Sequence, residues 1–365
     1  MADAPDPAEL ERLGVYDPAA PGAADRLHLL IRAFELGATV DEVVGAVRAM
    51  GIGSLILDLT MRPPGTTQRF GEFVEHSELD SDLVRRLWLA FGLPASEHVS
   101  VRVTPDAAEA LRFIAGVAPY FGEEVVLALA RAVGSSVARI AEALSGAFRI
   151  GIETPQRVTG VPEVLVVESF ATDARDLLPP FLDTVTAMFR RHLVLVSYQL
   201  WSTDEERAAV TLERTVGFAD LVGSTDVLRA QSVRETAAMV RRFEEQVWEL
   251  VIGAGGRVVK LIGDEAMFVL ADADTACEVG LALIDASPLP VRVGLAHGPV
   301  VEVYGDYYGE TVNLAARLVN EAPPGTLLTS GAVRDRAGAF TFEPRGTLML
   351  KGFAEPVPAY RCLRP

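Results

Sequence analysis

The sequence predicts an α+β protein with an N-terminal all-helical domain and a C-terminal ferredoxin-like βαββαβ domain. Two patterns lead to this prediction. Apolar residues recur at helical spacing through most of the first half of the chain. After about residue 210, short β-branched runs alternate with amphipathic segments in the order strand, helix, strand, strand, helix, strand. A chain of 365 residues is also long enough to bury two hydrophobic cores.

The first half divides into three predicted segments. Residues 1–22 are rich in alanine, proline and aspartate and are predicted to form a flexible arm. Residues 23–171 show helical periodicity, and Thr39 with Glu42 three residues later is a capping-box pattern. Residues 172–209 are again helical in pattern and are predicted to connect this helical domain to the next.

Residues 210–365 are predicted to form the second domain. Its first part has the ferredoxin-like order, for which we expect an antiparallel sheet with helices on one face. The two middle strands are joined by Gly-Asp-Glu and are predicted to form a hairpin. The predicted elements are strand 214–219, helix 231–252, strands 257–262 and 266–270, helix 272–286 and strand 291–297.

Charge, hydropathy and cysteine usage narrow the function classes. A formal net charge of −17 argues against nucleic acid or an anionic membrane surface as a partner. No apolar run approaches the ~20 residues that a membrane span needs. Cys277 and Cys362 lack metal-ligand spacing and are predicted to be free thiols in a reducing compartment. We therefore expect a cytoplasmic protein without a transmembrane segment.

Two aspartates occur where a divalent cation could bind. Asp220 follows an apolar strand, and Asp264 lies in the predicted hairpin turn. In a ferredoxin-like sheet the first strand neighbours that hairpin, so both carboxylates can reach one point. Mg²⁺ prefers hard oxygen ligands and few protein contacts, which leaves room for substrate phosphates. The alternative is that Asp220 caps the following helix and Asp264 simply favours the turn.

Asn313 and Arg317 lie four residues apart in a predicted helix and therefore on one helix face. An amide there can hold a ribose, and an arginine can stabilise charge on a phosphoryl group in a transition state. The alternative is a packed helix that carries a solvated arginine.

Lysine is nearly absent from the chain, because only two of the 33 basic residues are lysines. One of them, Lys260, lies inside an apolar strand. Such a residue is usually on a solvated face, but its rarity here favours a role in reading a base. Arg292 also lies between apolar residues of its strand and could face phosphate or water, and phosphate is slightly favoured. His297 is more typical of a satisfied strand-end histidine than of a catalyst.

Three motifs, at residues 218–225, 260–265 and 306–317, resemble those of the class III nucleotidyl cyclases in order and spacing. The resemblance spans about residues 210–365. It implies that two divalent cations, Mg²⁺ or Mn²⁺, are held by the Asp220 and Asp264 carboxylates and the backbone carbonyl of Leu221. It also implies that ATP is the substrate. The residues that would bind it are Lys260 and Asp306 at adenine, Asn313 at ribose, Arg317 at the transition state, and Arg292 and Lys351 at the triphosphate.

The resemblance further implies a homodimer, because in this family the metal aspartates and the base, ribose and transition-state residues come from different catalytic domains. The helical first half is similar in architecture to the autoinhibitory domain of actinobacterial pH-responsive adenylyl cyclases. His192, in the connector, is a candidate protonation switch, the alternative being a surface histidine without coupling. A lipid or small molecule is another class of signal that the apolar helical domain could bind.

Two other functions stay open on the sequence. A diguanylate or guanylyl cyclase would share the fold, although guanylyl cyclases usually carry Glu and Cys where Lys260 and Asp306 stand, and Asn313 with Arg317 has no use in diguanylate chemistry. A catalytically silent nucleotide- or lipid-sensing scaffold is the alternative from a different class. Degenerate cyclase domains typically lose some of the metal, base and transition-state residues that this chain retains.

Overall fold

The computed structural model describes residues 6–49, 51–94, 102–201, 211–222 and 233–365. The chain divides into two compact units, Met1–Ser202 and Thr203–Pro365. Among the helices of the described residues, none is both long and apolar enough to cross a membrane.

The described residues of the first unit form helices and two antiparallel two-residue strands, β1 (Gln68–Arg69) and β2 (Arg102–Val103). A short π-helix, Arg149–Glu153, follows its eighth helix. Its helices are α1 (Pro7–Arg12), α2 (Ala23–Glu35), α3 (Val40–Ala49), α4 (Ile52–Met61), α5 (Phe70–His76), α6 (Ser81–Ala90), α7 (Pro105–Phe121), α8 (Glu123–Phe148), α9 (Thr154–Val158) and α10 (Glu163–Trp201).

The expectation of a flexible arm over residues 1–22 does not hold for the described part of that segment. Asp6 caps α1 by accepting a hydrogen bond from the Glu9 backbone N–H, and Pro7 occupies the first turn. Leu10 is fully buried among residues of α2, α3 and α4. The sequence pattern concealed this helix because it is only six residues long and presents one apolar side chain to the core.

The Thr39–Glu42 capping box forms as expected. The Glu42 carboxylate accepts the Thr39 backbone N–H at 2.9 Å, and the Thr39 hydroxyl accepts the Glu42 N–H at 3.3 Å. Glu42 is almost fully buried and also contacts Arg62 and Arg102. Burial alone would raise the pKa of Glu42, but the Thr39 hydrogen bonds and the two arginines outweigh it, so the pKa is lowered. The capping carboxylate thereby ties α3 to more distant parts of the unit.

Helix α10 runs from Glu163 to Trp201 through the expected domain boundary at residue 171 without a break. Its first turns pack in the core formed with α2 and α4, where Val164 is buried. From about residue 175 onward its described side chains are mostly exposed. The helical domain and the connector therefore share one continuous helix.

The described residues of the second unit include a sheet of eight strands with helices on both sides. Its strands are β3 (Thr211–Leu221), β4 (Arg257–Ile262), β5 (Glu265–Leu270), β6 (Val291–Val303), β7 (Asp306–Tyr308), β8 (Leu327–Ser330), β9 (Thr341–Leu348) and β10 (Val357–Leu363). Its helices are α11 (Val233–Gly253), α12 (Ala273–Ala286), α13 (Glu310–Glu321) and α14 (Gly331–Arg336).

The ferredoxin-like prediction is confirmed. The first four strands have the spatial order β4-β5-β3-β6, and all neighbouring pairs are antiparallel. β4 and β5 form the predicted hairpin, in which Ile262 pairs with Glu265 across a two-residue turn. β8, β10 and β9 extend the sheet beyond β6, and β8 is parallel to β6. β7 pairs with the end of β6.

The expectation that the helices of the ferredoxin-like part lie on one face of the sheet holds for α11 and α12, whereas α13, which follows that part of the chain, lies on the other face. α11 and α12 pack on one face, against residues such as Ala219 and Phe268. α13 packs on the opposite face, where Ala315 and Val319 contact a core that includes Phe218. Successive strand residues point to opposite faces, so the sheet carries two separate apolar layers.

Gly294 of β6 explains how closely α13 approaches the sheet. A Cβ at this position would lie 2.3 Å from the Val319 backbone nitrogen and 2.6 Å from the Ala315 carbonyl oxygen. Both are backbone atoms of α13 and cannot move without shifting the helix. The glycine therefore sets the position of the helix that carries Asn313 and Arg317.

Gly294→Ala is expected to destabilise the second unit by about 2–3 kcal/mol, because the added methyl overpacks the contact between β6 and α13. The measurement is urea denaturation followed by circular dichroism. Gly338→Ala is the matched control, since a Cβ there meets no atom within 4 Å and its φ lies outside the left-handed region. Equal stability of the two variants would contradict this account of α13.

Candidate active site

Asp220 and Asp264 lie at the same end of the sheet, as the sequence predicted. The backbone N–H of Leu221 donates to the carbonyl oxygen of Asp264 at 3.2 Å, which joins the end of β3 to the hairpin turn. Gly263 has a φ of 65°, a left-handed conformation that favours glycine in a tight turn. Residues 223–225 of the first motif lie outside the described residues.

Glu265 is a third carboxylate at this position that the sequence analysis did not single out. It pairs with Asp220 across β3 and β5, so both side chains point to the same face of the sheet. Burial raises the pKa of Glu265, and the charges of Asp220 and Asp264 raise it further. The signal in the sequence was its place directly after Asp264, at the start of the returning strand.

Arg292 contacts Asp220 directly. Its Nε donates to the Asp220 Oδ2 at 2.7 Å, and its Nη1 donates to the carbonyl oxygen of Asn320 at 3.1 Å. Burial raises the pKa of Asp220, Arg292 opposes this effect, and Asp264 adds to it. The sequence analysis favoured phosphate as the partner of Arg292, whereas in this structure the partner is a proposed metal ligand.

The donor atoms at this end of the sheet fit a hard divalent cation. The Asp220 carboxylate is mostly buried and the negative charge of Asp264 raises its pKa, a repulsion that a cation would relieve. No three acidic, histidine or cysteine side chains of the described residues form a group that could hold a metal by themselves. Two carboxylates and the Leu221 carbonyl would leave coordination positions for substrate phosphates.

Lys260 and Asp306 form an ion pair, with the Lys260 Nζ 2.7 Å from the Asp306 Oδ2. Lys260 comes from the middle of β4 and Asp306 from the start of β7, so the pair is made by tertiary structure. Both side chains are about one-third exposed, at 37% and 31%. A donor and an acceptor therefore stand side by side at a surface that a ligand can reach.

A β-bulge gives Lys260 its direction. The register of β4 against β5 shifts between Val258 and Lys260, so that Lys260 pairs with Met267. Met267 belongs to the apolar layer on the α13 side of the sheet. Lys260 consequently points to the same face of the sheet as Asp220.

Asn313 and Arg317 lie on α13 as predicted, and the backbone of Lys351 contacts Arg317. The Arg317 Nε donates to the Lys351 carbonyl oxygen at 3.2 Å, which links α13 to the loop that follows β9. Asn313 and Lys351 are exposed, and Arg317 is partly exposed. These side chains are therefore open to a ligand or to a second chain.

His297, His192 and the two cysteines are the remaining candidate residues. His297 is nearly buried on the opposite face of the sheet, where its Nδ1 lies 2.9 Å from the Thr215 hydroxyl oxygen. This contact satisfies His297 as expected, but the residue lies in the middle of β6 and not at a strand end. His192 is exposed on α10, in the first unit. Cys277 and Cys362 are buried free thiols.

Comparison with known proteins places these observations in context. Residues 208–361 match the family model described as the adenylate and guanylate cyclase catalytic domain. An uncharacterized protein of Mycobacterium tuberculosis is 31% identical over 99% of this chain and 95% of its own length. An adenylate cyclase of Streptomyces coelicolor is 31% identical over 73% of this chain and 71% of its own length.

Two further similarities are more distant. A pH-sensitive adenylate cyclase of Mycobacterium tuberculosis is 27% identical over 93% of this chain and 88% of its own length. Among solved structures, the adenylyl cyclase CyaB from P. aeruginosa is 21% identical, with 42% of this chain and 95% of that chain covered and a TM-score of 0.39.

Proposed function

Because the chain belongs to the adenylate and guanylate cyclase family, we propose that it converts ATP to 3′,5′-cyclic AMP and pyrophosphate. The observation that carries the choice of ATP is the ion pair of Lys260 with Asp306 at 2.7 Å. Adenine offers a ring-nitrogen acceptor next to an exocyclic amino donor, and a lysine beside a carboxylate is complementary to that pattern.

The proposed chemistry is in-line attack of the ribose 3′-hydroxyl on the α-phosphorus, with pyrophosphate as the leaving group. Asn313 positions the ribose, and Arg317 stabilises the charge that develops on the α-phosphoryl oxygens. Arg292 and Lys351 bind the triphosphate. For Arg292 this requires exchange of its present partner, Asp220, for phosphate oxygens.

Asp220, Asp264 and the Leu221 carbonyl would hold the two divalent cations, Mg²⁺ or Mn²⁺. Bound cations of this kind supply Lewis-acid polarisation of the phosphate and lower the pKa of a hydroxyl near them. The crowding of Asp220, Asp264 and Glu265 supports this assignment, since each of the two aspartates raises the pKa of Glu265. A dedicated histidine base is not required, and His297 lies on the other face of the sheet.

The proposed active unit is a homodimer with two equivalent sites. The contacts within one chain join Asp220 to Arg292, Lys260 to Asp306 and Arg317 to Lys351. Asn313 is exposed to solvent although its proposed role is to hold a ribose. A symmetric pair of chains would bring the metal aspartates of one chain to the base, ribose and transition-state residues of the other.

The helical unit is proposed to regulate the catalytic unit, and pH is the signal suggested by the pH-sensitive relative. His192 is the candidate switch, because it is exposed on α10 and histidine titrates near neutral pH. A lipid or small-molecule ligand is a second form of regulation. A cavity of about 560 Å³ beside α2, lined by residues that include Tyr16 and Leu29, could take such a ligand.

His192→Ala is expected to remove at least about half of the change in specific activity between pH 5.5 and pH 8, because the proposed protonation site is lost. The measurement is initial rate against pH for the 365-residue chain. His76→Ala is the control, since His76 is also exposed in the helical unit but lies on α5. A His192→Ala profile that superimposes on that of the unchanged chain would remove the proposed switch.

The experiment that tests the proposed function is nucleotide turnover with Mg²⁺ and with Mn²⁺. ATP and GTP are supplied in parallel, and products are separated by chromatography for the 365-residue chain and for a fragment starting near residue 205. Cyclic AMP from ATP supports the proposal. Cyclic GMP or a cyclic dinucleotide from GTP would favour the guanylyl or diguanylate alternative. Stoichiometric ATP binding without product from either protein would favour a silent scaffold.

A further inference from the structure

Arg257, on β4 three residues before Lys260, binds the turn that precedes Asp306. Its Nη2 donates to the carbonyl oxygen of Gly305 at 2.7 Å, and its Nη1 donates to the Glu302 carboxylate at 3.0 Å. The guanidinium also lies over the Tyr307 ring, 5.7 Å from the ring centroid. One side chain therefore contacts the end of β6, the turn and β7.

The turn itself has little freedom. β6 and β7 are joined by Tyr304 and Gly305, both with positive φ, at 50° and 85°. Such a pair is the geometry of a tight two-residue hairpin, and a non-glycine residue there is strained by about 1 kcal/mol or more. The contact from Arg257 to the Gly305 carbonyl offsets part of that strain.

The Asp306 carboxylate is fixed from both sides. One oxygen accepts the Lys260 ammonium at 2.7 Å, and the other accepts the Tyr307 backbone N–H at 2.9 Å. Tyr307 is itself buried in the α13-side core, at 4% exposure. The direction of Asp306 thus depends on where the turn holds the start of β7.

The bulge in β4 brings Arg257 and Lys260 to the same face of the sheet. Residues three apart on a regular strand point to opposite faces. Here Arg257 pairs with Val269 and Lys260 with Met267, and both partners belong to the α13-side layer. The strand therefore presents one residue that contacts Asp306 and one that holds the turn behind it.

From this arrangement we propose that Arg257 is a positioning residue for base selection. This proposal rests on the proposed role of Lys260 and Asp306 in reading the base. Arg257 fixes the Tyr304–Gly305 turn and so holds the Asp306 carboxylate where it accepts from the adenine amino group. Arg257 does not contact the reacting atoms. Its loss should therefore change which base is bound, and how tightly, more than the rate of the chemical step.

The test is the kinetics of Arg257→Gln in the 365-residue chain, with ATP and GTP as competing substrates. We expect KM for ATP to rise about tenfold and the ATP-to-GTP ratio of kcat/KM to fall about tenfold, because charge-assisted hydrogen bonds to the turn are lost. kcat for ATP should stay within about threefold of its original value. Arg257→Lys should be intermediate, since a single ammonium cannot match the fork that binds both acceptors.

Arg361→Gln is the matched control. Arg361 is also a strand arginine in an ion pair, with Glu343, and its side-chain exposure of 39% is close to the 42% of Arg257. Its kinetics should not change. If Arg257 has only a structural role, Arg257→Gln should have a lower melting temperature and yield less active enzyme, but its KM and its ATP-to-GTP ratio of kcat/KM should be unchanged. That result would overturn the inference.

Lys260→Met, measured in the same series, separates the inference from the proposed function. If Lys260→Met loses discrimination between ATP and GTP while Arg257→Gln keeps it, the role of Arg257 is overturned and base reading by Lys260 stands. If neither variant changes discrimination, both proposals fail. Loss of discrimination in both variants, with kcat retained in Arg257→Gln, is the result that the inference expects.

Discussion

Arg317→Ala is expected to lower kcat for cyclic AMP formation by about 10³-fold or more, with a much smaller change in KM for ATP. Arg317 would contact the phosphoryl group most strongly when charge develops on it, so its loss should act on the transition state more than on ground-state binding. The backbone of α13 should be unaffected, because Ala315, Leu318 and Val319 make its buried contacts. Initial rates at saturating ATP measure the effect.

Asp220→Ala should give a loss of similar size, about 10³-fold, because it removes a cation ligand at the reacting phosphate. Arg345→Ala is the control for both variants, since Arg345 is an exposed arginine of β9 and should keep full activity. Circular dichroism and thermal melting should show that all three variants are folded. Activity within tenfold of the original in either Arg317→Ala or Asp220→Ala would contradict the assigned roles.

Replacing Lys260 with Glu and Asp306 with Cys together is expected to shift the ATP-to-GTP ratio of kcat/KM by about 10³-fold toward GTP. Polar groups that read a base reject the wrong base strongly, because they are left unpaired beside it. The product ratio of cyclic GMP to cyclic AMP, from equal concentrations of ATP and GTP, measures the shift directly.

Each single replacement should lower turnover of both nucleotides, because it leaves one partner of the 2.7 Å ion pair without its counter-charge. Lys351→Glu is the matched charge reversal outside the base site. It should weaken binding of both triphosphates without changing the preference between them. A double variant that is still selective for ATP would show that the base is read elsewhere.

Much of the catalytic unit could be predicted, because local residue patterns in the sequence show the order of its strands and helices. The strand that leads to Asp220 and the hairpin that contains Asp264 are both visible in the sequence, and the ferredoxin-like order makes them neighbours. The position of α13 was not predictable in this way. It depends on the absence of a Cβ at Gly294, and the pattern alone does not say which face a helix covers.

Side-chain direction was harder to predict than element order. Strict alternation along β4 would place Arg257 and Lys260 on opposite faces, and only the register shift after Val258 places them together. The contact of Arg292 with Asp220 likewise depends on the pairing of β3 with β6. Glu265 was overlooked because its place directly after Asp264 becomes informative only when the register of β3 against β5 shows that it lies opposite Asp220.

The measurement that tests the central claim most directly is the activity of a mixed dimer of Asp220→Ala and Arg317→Ala chains, purified through two different affinity tags. If each active site is shared between two chains, one of the two sites of this mixed dimer has an intact aspartate from one chain and an intact arginine from the other. We predict about half the activity of the unchanged dimer, although each variant alone is inactive. A mixed dimer as inactive as doubly tagged Asp220→Ala would contradict a site shared between two chains.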